Sequence, residues 1–248
     1  MATVLVTDGE QRSALAIVRS LGRAGHRCVV MSAAGRSLAG GSRFAARDFP
    51  APPAGADPEG FARTLQQLVA DVHADLVLPV TEEAVLATLA HRNAIEAIVP
   101  FPELATFEQV CDKERVLSVA RSVGIRVPRQ TVIPSRGAGE KVDLPVVLKP
   151  TRSVHTGADG ARARTSVTWA ETPAGYAAAL AAYPDAAFPV LAQELITGPG
   201  IGVFLLLHEG RVVARFSHRR LFEKPPRGGV SVLSQAEPMD EALYHSSV

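Results

Sequence analysis

The chain has 248 residues, 47% of them apolar, with 26 lysines and arginines against 25 aspartates and glutamates. That supplies apolar side chain for one large or two modest cores and excludes a chain too polar to fold. Residues 1–105 hold nine basic and eleven acidic side chains, and residues 106–248 hold seventeen and fourteen, a balance too even for a nucleic-acid footprint.

Residues 3–7 (TVLVT) read as a short buried strand. Residues 11–24 place Ala14, Leu15, Val18 and Leu21 at helical spacing, Gly25 ends the helix, and residues 27–31 read as a second strand. This is a βαβ unit, which implies a parallel pair with a right-handed crossover. Residues 35–58 are rich in Gly, Ala and Pro and read mostly as loop. A helix over 61–72 and a strand over 75–79 follow, and Thr81 is placed to cap the next helix. Residues 97–100 read as a fourth short strand, which makes the first hundred residues a small doubly wound α/β domain.

Residues 107–123 read as one helix, stopped at Gly124 in extended chain, and residues 134–141 as a linker-like turn. Strands are expected over 146–148, 165–169, 191–195, 203–207, 212–216 and 230–234, with one helix over 173–182. Glu209 and Gly210 mark a hairpin turn between two of them.

The residues that carry chemistry are scattered. The first strand-to-helix turn, residues 7–11, lacks the G-x-G-x-x-G pattern, and its Asp8 and Glu10 would repel a pyrophosphate. Lys113, taken alone, reads as an exposed lysine beside Asp112 and Glu114. Lys149 ends the apolar run 146–148 and must either snorkel outward or meet an anion, for which phosphate is the natural partner. The loop 151–164 carries Ser153, Gly157 and Gly160, with hydroxyls and arginines suited to phosphate oxygens and glycines that permit close approach. A simple hairpin loop explains that segment equally well. Residues 217–230 are the most basic stretch, with Arg219, Arg220, Lys224 and Arg227 near paired prolines and glycines. They read either as a solvated turn or as an anion site. His218 reads as a polar strand-end residue, and Asp240 with Glu241 as a helix N-terminal turn rather than a cation site.

In this order the pieces resemble the ATP-grasp superfamily, nearest to its carbamoyl-phosphate-synthase-like and carboxylate–amine ligase members. The resemblance spans essentially the whole chain: Asp112-Lys113, the segment 124–128 (GIRVP), 147–150 (VLKP), 193–196 (QELI) and 218–220 (HRR). It implies a Rossmann-like pre-ATP-grasp domain over 1–105, an α+β ATP-grasp N-terminal lobe over 106–189 and the start of an incomplete C-terminal lobe over 190–248. It implies that Lys113 and Lys149 contact the phosphates of ATP, with Ser153, Gly157 and Gly160 in the covering loop. Gln193, Glu194, Leu195 and Ile196 would form the interlobe hinge that reads adenine, and Arg219 and Arg220 would lie near the reacting phosphoryl group. The segment 198–202 (GPGIG) departs from the family's acidic ribose-binding residue. The family's Mg²⁺ carboxylates are expected beyond about residue 250, so the sequence reads as C-terminally truncated and supplies no metal ligand of its own.

The resulting expectation is an ATP- and Mg²⁺-dependent ligase that activates a small carboxylate as an acyl phosphate for attack by an amine, with this chain catalytically incomplete. Two other classes stand beside it. One is a nucleotide-binding regulatory or partner-dependent module, compatible with a homodimer. The other is an NAD(P)-dependent oxidoreductase. Cys28 and Cys111 lie in unrelated segments, no apolar run reaches about 18 residues, and the N-terminus shows no signal-peptide pattern. A reduced, cytoplasmic setting without membrane or nucleic-acid partners is expected.

Overall fold

Period-two alternation in the first strand sets up a three-layer arrangement. In the computed structural model, which describes residues 1–138, 141–156, 162–224 and 229–248, this strand is β1 (Thr3–Val6). Val4 and Val6 face helix α1 (Arg12–Arg23), where Ala14 and Val18 bury with them. Leu5 faces the other way, onto α2 (Pro58–Val72) and α3 (Glu82–Ala90), through Phe61, Leu65, Ala84 and Ala87. Strand β2 (Arg27–Ser32) repeats the pattern, Cys28 and Val30 toward α1, Val29 and Met31 toward α2. With β3 (Ala45–Pro50) and β4 (Leu76–Leu78) the sheet is parallel and ordered β3-β2-β1-β4. The order therefore turns back at β1.

Local chemistry fixes the helix starts. Asp57 accepts from the Gly60 amide and Thr81 from the Ala84 amide, so Thr81 caps α3 as its position predicts. The single helix expected over 107–123 is two, α4 (Leu104–Val110) and α5 (Lys113–Ser122). Asp112 breaks it by accepting from the amides of Glu114 and Arg115, a new N-terminus that outcompetes continued helix. Strand β3 lies inside the segment read as loop. Asp48 holds it, accepting from the hydroxyl of Ser32 on β2 and from the amide and hydroxyl of Ser37. The strand expected at 97–100 is reduced to one parallel bridge, Leu76 with Ile98.

A second sheet has the order β5-β10-β6-β9, from Gln130–Ile133, Val190–Glu194, Val146–Pro150 and Thr168–Ala170. Helix α6 (Pro173–Ala182) covers one face, burying Leu180 with Ile133, Val146, Leu148, Val190 and Ala192. The buried Tyr183 hydroxyl lies 3.0 Å from the Leu148 carbonyl and 3.1 Å from that of Ser166, tying this face together. Alternation then sends Val147, Lys149, Leu191 and Gln193 to the opposite face. A small hairpin pairs β7 (Val154–Thr156) with β8 (Arg162–Arg164).

These two sheets make one compact unit, residues 1–119 with 130–193; residues 120–129 with 194–248 make another. The second unit contains the antiparallel sheet β11 (Ile201–His208), β12 (Arg211–Lys224) and β13 (Val230–Ala236), followed by α7 (Glu241–Ser247). Glu209 (φ 50°) and Gly210 (φ 73°) are both left-handed, as a two-residue hairpin turn requires. Asp240 accepts from the amides of Ala242 and Leu243, the helix-start role expected of it. Strand β12 runs well past the 212–216 expected. Residues 217–224 of the basic stretch are therefore paired strand and not turn, while Arg227 and its flanking prolines lie outside the described residues.

Candidate functional site

Two lysines from separate elements converge on the base of the β7–β8 hairpin. Lys113 is the first residue of α5, and its amide donates to the Thr151 carbonyl at 2.8 Å. Its Nζ donates to the Ser153 hydroxyl at 2.9 Å and lies 3.4 Å from the Thr151 oxygen. Burial pushes the Lys113 pKa below its ordinary 10.5; Glu82 opposes this, and the positive charge of Lys149 adds to the lowering. Lys149, on the face of β6 turned away from α6, is half-buried, and burial lowers its pKa as well. Among the described residues its ammonium makes no hydrogen bond or ion pair. Two partly desolvated ammonium groups near enough to repel are unfavourable by themselves and become favourable with an anion between them.

The remaining expected residues sort by position. Ser153 belongs to the lysine cluster, and its carbonyl accepts from the Thr165 amide. Gly157 and Gly160 lie outside the described residues. Gln193 is buried in β10, its amide bonded to Gln130 Oε1 at 2.9 Å. Glu194 accepts from the Arg129 amide at 2.9 Å and guanidinium at 2.8 Å, and these two bonds hold its carboxyl below the usual range. Leu195 follows in irregular chain, and the Ile196 side chain is exposed. Arg219 and Arg220 are neighbours on β12, so their side chains leave opposite faces of the sheet. Arg220 pairs with Glu223 at 3.3 Å, and Arg219 lies 3.9 Å from Glu237. The structure does not bring these arginines together.

Some participants escape sequence reasoning. Arg164 ends β8 and reaches Glu83 at 3.3 Å and Glu82 at 3.8 Å, so the first turn of α3 holds the hairpin base. The faint signal was the charge of Glu82 and Glu83, next to the capping Thr81, and of Arg164 at the end of the 151–164 loop. A cleft at the ends of β1, β2 and β3 is also new. Among the described residues no group of three or more His, Cys, Asp or Glu is placed to hold a metal ion. The lysine cluster is chemically suited to an anion such as phosphate. No helix of the described residues is long and apolar enough to cross a membrane.

No protein-family model matches the sequence, and no curated protein sequence matches it. Solved structures do match. L-amino acid ligase from Bacillus licheniformis is 16% identical with a TM-score of 0.71, covering 98% of this chain and 57% of its own. Biotin carboxylase from Campylobacter jejuni, in complex with an ATP ligand, is 14% identical with a TM-score of 0.71, over 99% of this chain and 58% of its own. N5-carboxyaminoimidazole ribonucleotide synthetase from Thermotoga maritima is 17% identical with a TM-score of 0.58, over 91% and 58%. The chain shares the fold of these three structures, a parallel α/β domain leading into an α+β region. It spans a little over half the length of the structures it matches.

Proposed function

We propose that this chain is the nucleotide-binding part of an ATP-dependent ligase that activates a carboxylate as an acyl phosphate for attack by an amine. The observation that carries this reading is the Lys113–Lys149 pair, two half-buried cations close enough to act on each other, Lys113 at the hairpin base and the Lys149 ammonium without a hydrogen-bond or ion-pair partner among the described residues. A phosphate chain lying there would accept from Lys149, share Lys113 with the Ser153 hydroxyl, and relieve the repulsion between the two charges. Phosphoryl transfer asks mainly for such positioning and charge neutralisation. The domain division at residues 105 and 189 and the adenine contacts of residues 193–196 belong to the same proposal. So do the roles of Arg219 and Arg220 beside the acceptor and a cytoplasmic location. The first strand-to-helix turn, acidic and without the glycine pattern, disfavours a nicotinamide dinucleotide.

A second reading draws on a specific observation. Phe204, Leu206, Phe216, Leu221 and Phe222 are all exposed on the antiparallel sheet, which favours a nucleotide-binding module that seats a partner. One titration series tests both. The ligase reading expects saturable ATP binding with amide shifts at Lys113 and Ser153, lost in Lys149→Met, and, once the remaining grasp region is supplied, ADP release that requires both a carboxylate and an amine. ATP binding with that region supplied but without acceptor-dependent ADP release would favour the module. Preference for NADH over MgATP would overturn both.

A further inference from the structure

The carboxyl ends of the parallel strands enclose a cavity that the nucleotide reading leaves unused. It holds about 230 Å³, roughly the liquid volume of eight water molecules. Met31, Ala54 and Phe61 form its apolar floor, and Asp8, Glu10 and Glu83 stand among its polar lining. Among the described residues no lysine, arginine or histidine lines it. It lies where the strand order turns back at β1, the position at which open parallel sheets take ligands.

The sign of its charge follows from the hydrogen bonds. Asp8 accepts from the amides of Val80 and Thr81 and from the Thr81 hydroxyl, and Glu10 accepts from the Ala33 amide. All these donors are neutral, so they fix both carboxylates in place without cancelling their charge. Among the described residues only Glu83 of the three has an ion-pair partner, Arg164. The cavity thus combines an apolar floor with two carboxylates that no described cation pairs.

We propose that this cleft binds a small primary amine in its ammonium form, with a short apolar body against Met31, Ala54 and Phe61. A ligand carrying a carboxylate beside the amine meets the same charges with the wrong sign and is disfavoured. The binding stands on the cleft itself; its role as the amine-acceptor subsite rests on the ligase reading. Adjacency supports that role, because consecutive residues of α3 serve both places. Glu83 lines the cleft, and Glu82 acts electrostatically on Lys113.

The test uses the full chain and NMR amide shifts with isoamylamine, isovalerate and leucine as probes. Isoamylamine is expected to shift Glu10, Ala33 and Gly55 saturably, while isovalerate and leucine leave them unmoved at equal concentration. Glu10→Lys, at an exposed position, is expected to weaken isoamylamine about tenfold or more. The ATP-induced shifts at Lys113 and Ser153 should survive in the same variant. Should Glu10→Lys not fold, Glu10→Gln is expected to weaken the amine about threefold. No saturable amine response, an equal response to isovalerate, or an unchanged affinity in the Glu10 variant overturns the proposal. Amine binding without any ATP response supports the cleft and overturns the ligase reading; ATP binding without amine binding does the reverse.

Discussion

The sheet under α6 and the sheet β11-β12-β13 both draw on stretches of Val and Leu, yet they differ in what covers them. Ile133, Leu148, Val190 and Leu191 are wholly buried. Along β11, β12 and β13 Ser217 is the one buried residue among those described, and Leu206 stays 61% exposed. Apolar strands acquire a core only when a second layer lies on them. The difference teaches that Lys149 rests on a packed sheet, whereas Arg219 and Arg220 rest on a sheet held mainly by backbone pairing. Leu148→Ala should therefore cost about 2–5 kcal/mol of stability. Leu206→Ala should stay within about 0.5 kcal/mol. Denaturant unfolding of both variants checks the contrast, and equal losses would break it.

The next effect is on binding. Lys149→Met keeps the length of the side chain and removes its charge from a half-buried strand position. ATP affinity should fall at least about tenfold, because a charge-assisted phosphate contact is lost, while the nucleotide-free protein melts no lower than the parent. Arg219→Met, on the exposed sheet, should change ATP affinity less than Lys149→Met does. Calorimetric titration of the two variants sharpens the comparison, and a reversed ranking would remove Lys149 from the site.

The pH dependence follows with its sign. Burial lowers the pKa of both lysines below 10.5 in the folded protein. The folded state then holds its protons less tightly than the unfolded chain, so this unfavourable contribution is full at neutral pH and relieved as pH rises toward 10.5. A bound phosphate favours the charged form and takes up protons. ATP affinity should accordingly begin to fall at a pH below that of an ordinary lysine, and calorimetry in buffers of different ionisation enthalpy should register proton uptake. Affinity flat up to pH 10 would contradict the shared-anion geometry.

These contrasts explain which parts of the molecule were legible in the sequence. Strands β1, β2, β6 and β10 and helices α1 and α6 were, because their apolar spacing carries the signal and the same residues form the core. Strand β12 was underestimated, since its later residues include two arginines, a glutamate and a lysine and depend on pairing, up to Arg219 with strands on both sides and beyond it with β13. The β3 strand (AARDFP) and the four-residue β5 carry no clear apolar alternation, and pairing defines them. Lys149 could be flagged as a charge ending a buried run, but Lys113 meets Ser153 across 40 residues of sequence and Arg164 meets Glu83 across 81. Such meetings are tertiary facts. The cleft likewise needs four strand ends brought side by side.

The smallest effect expected lies at Glu194, where the comparison between regions is finest. Its carboxylate is held below the ordinary 4.5 by the Arg129 amide, then by the guanidinium. Arg129 is 77% exposed, so solvent screens much of the attraction. A lowered carboxyl pKa contributes stability above 4.5 and loses it as pH falls through the folded value. Glu194→Gln should thus melt slightly below the parent at pH 7, by less than Leu148→Ala, and the gap should close on acidification. Since glutamine can still accept from the Arg129 amide, the residual gap at neutral pH isolates the charge. A gap that persists at pH 2 would mean that Glu194 acts through packing, and the segment after β10 would then be as rigid as the sheet that precedes it.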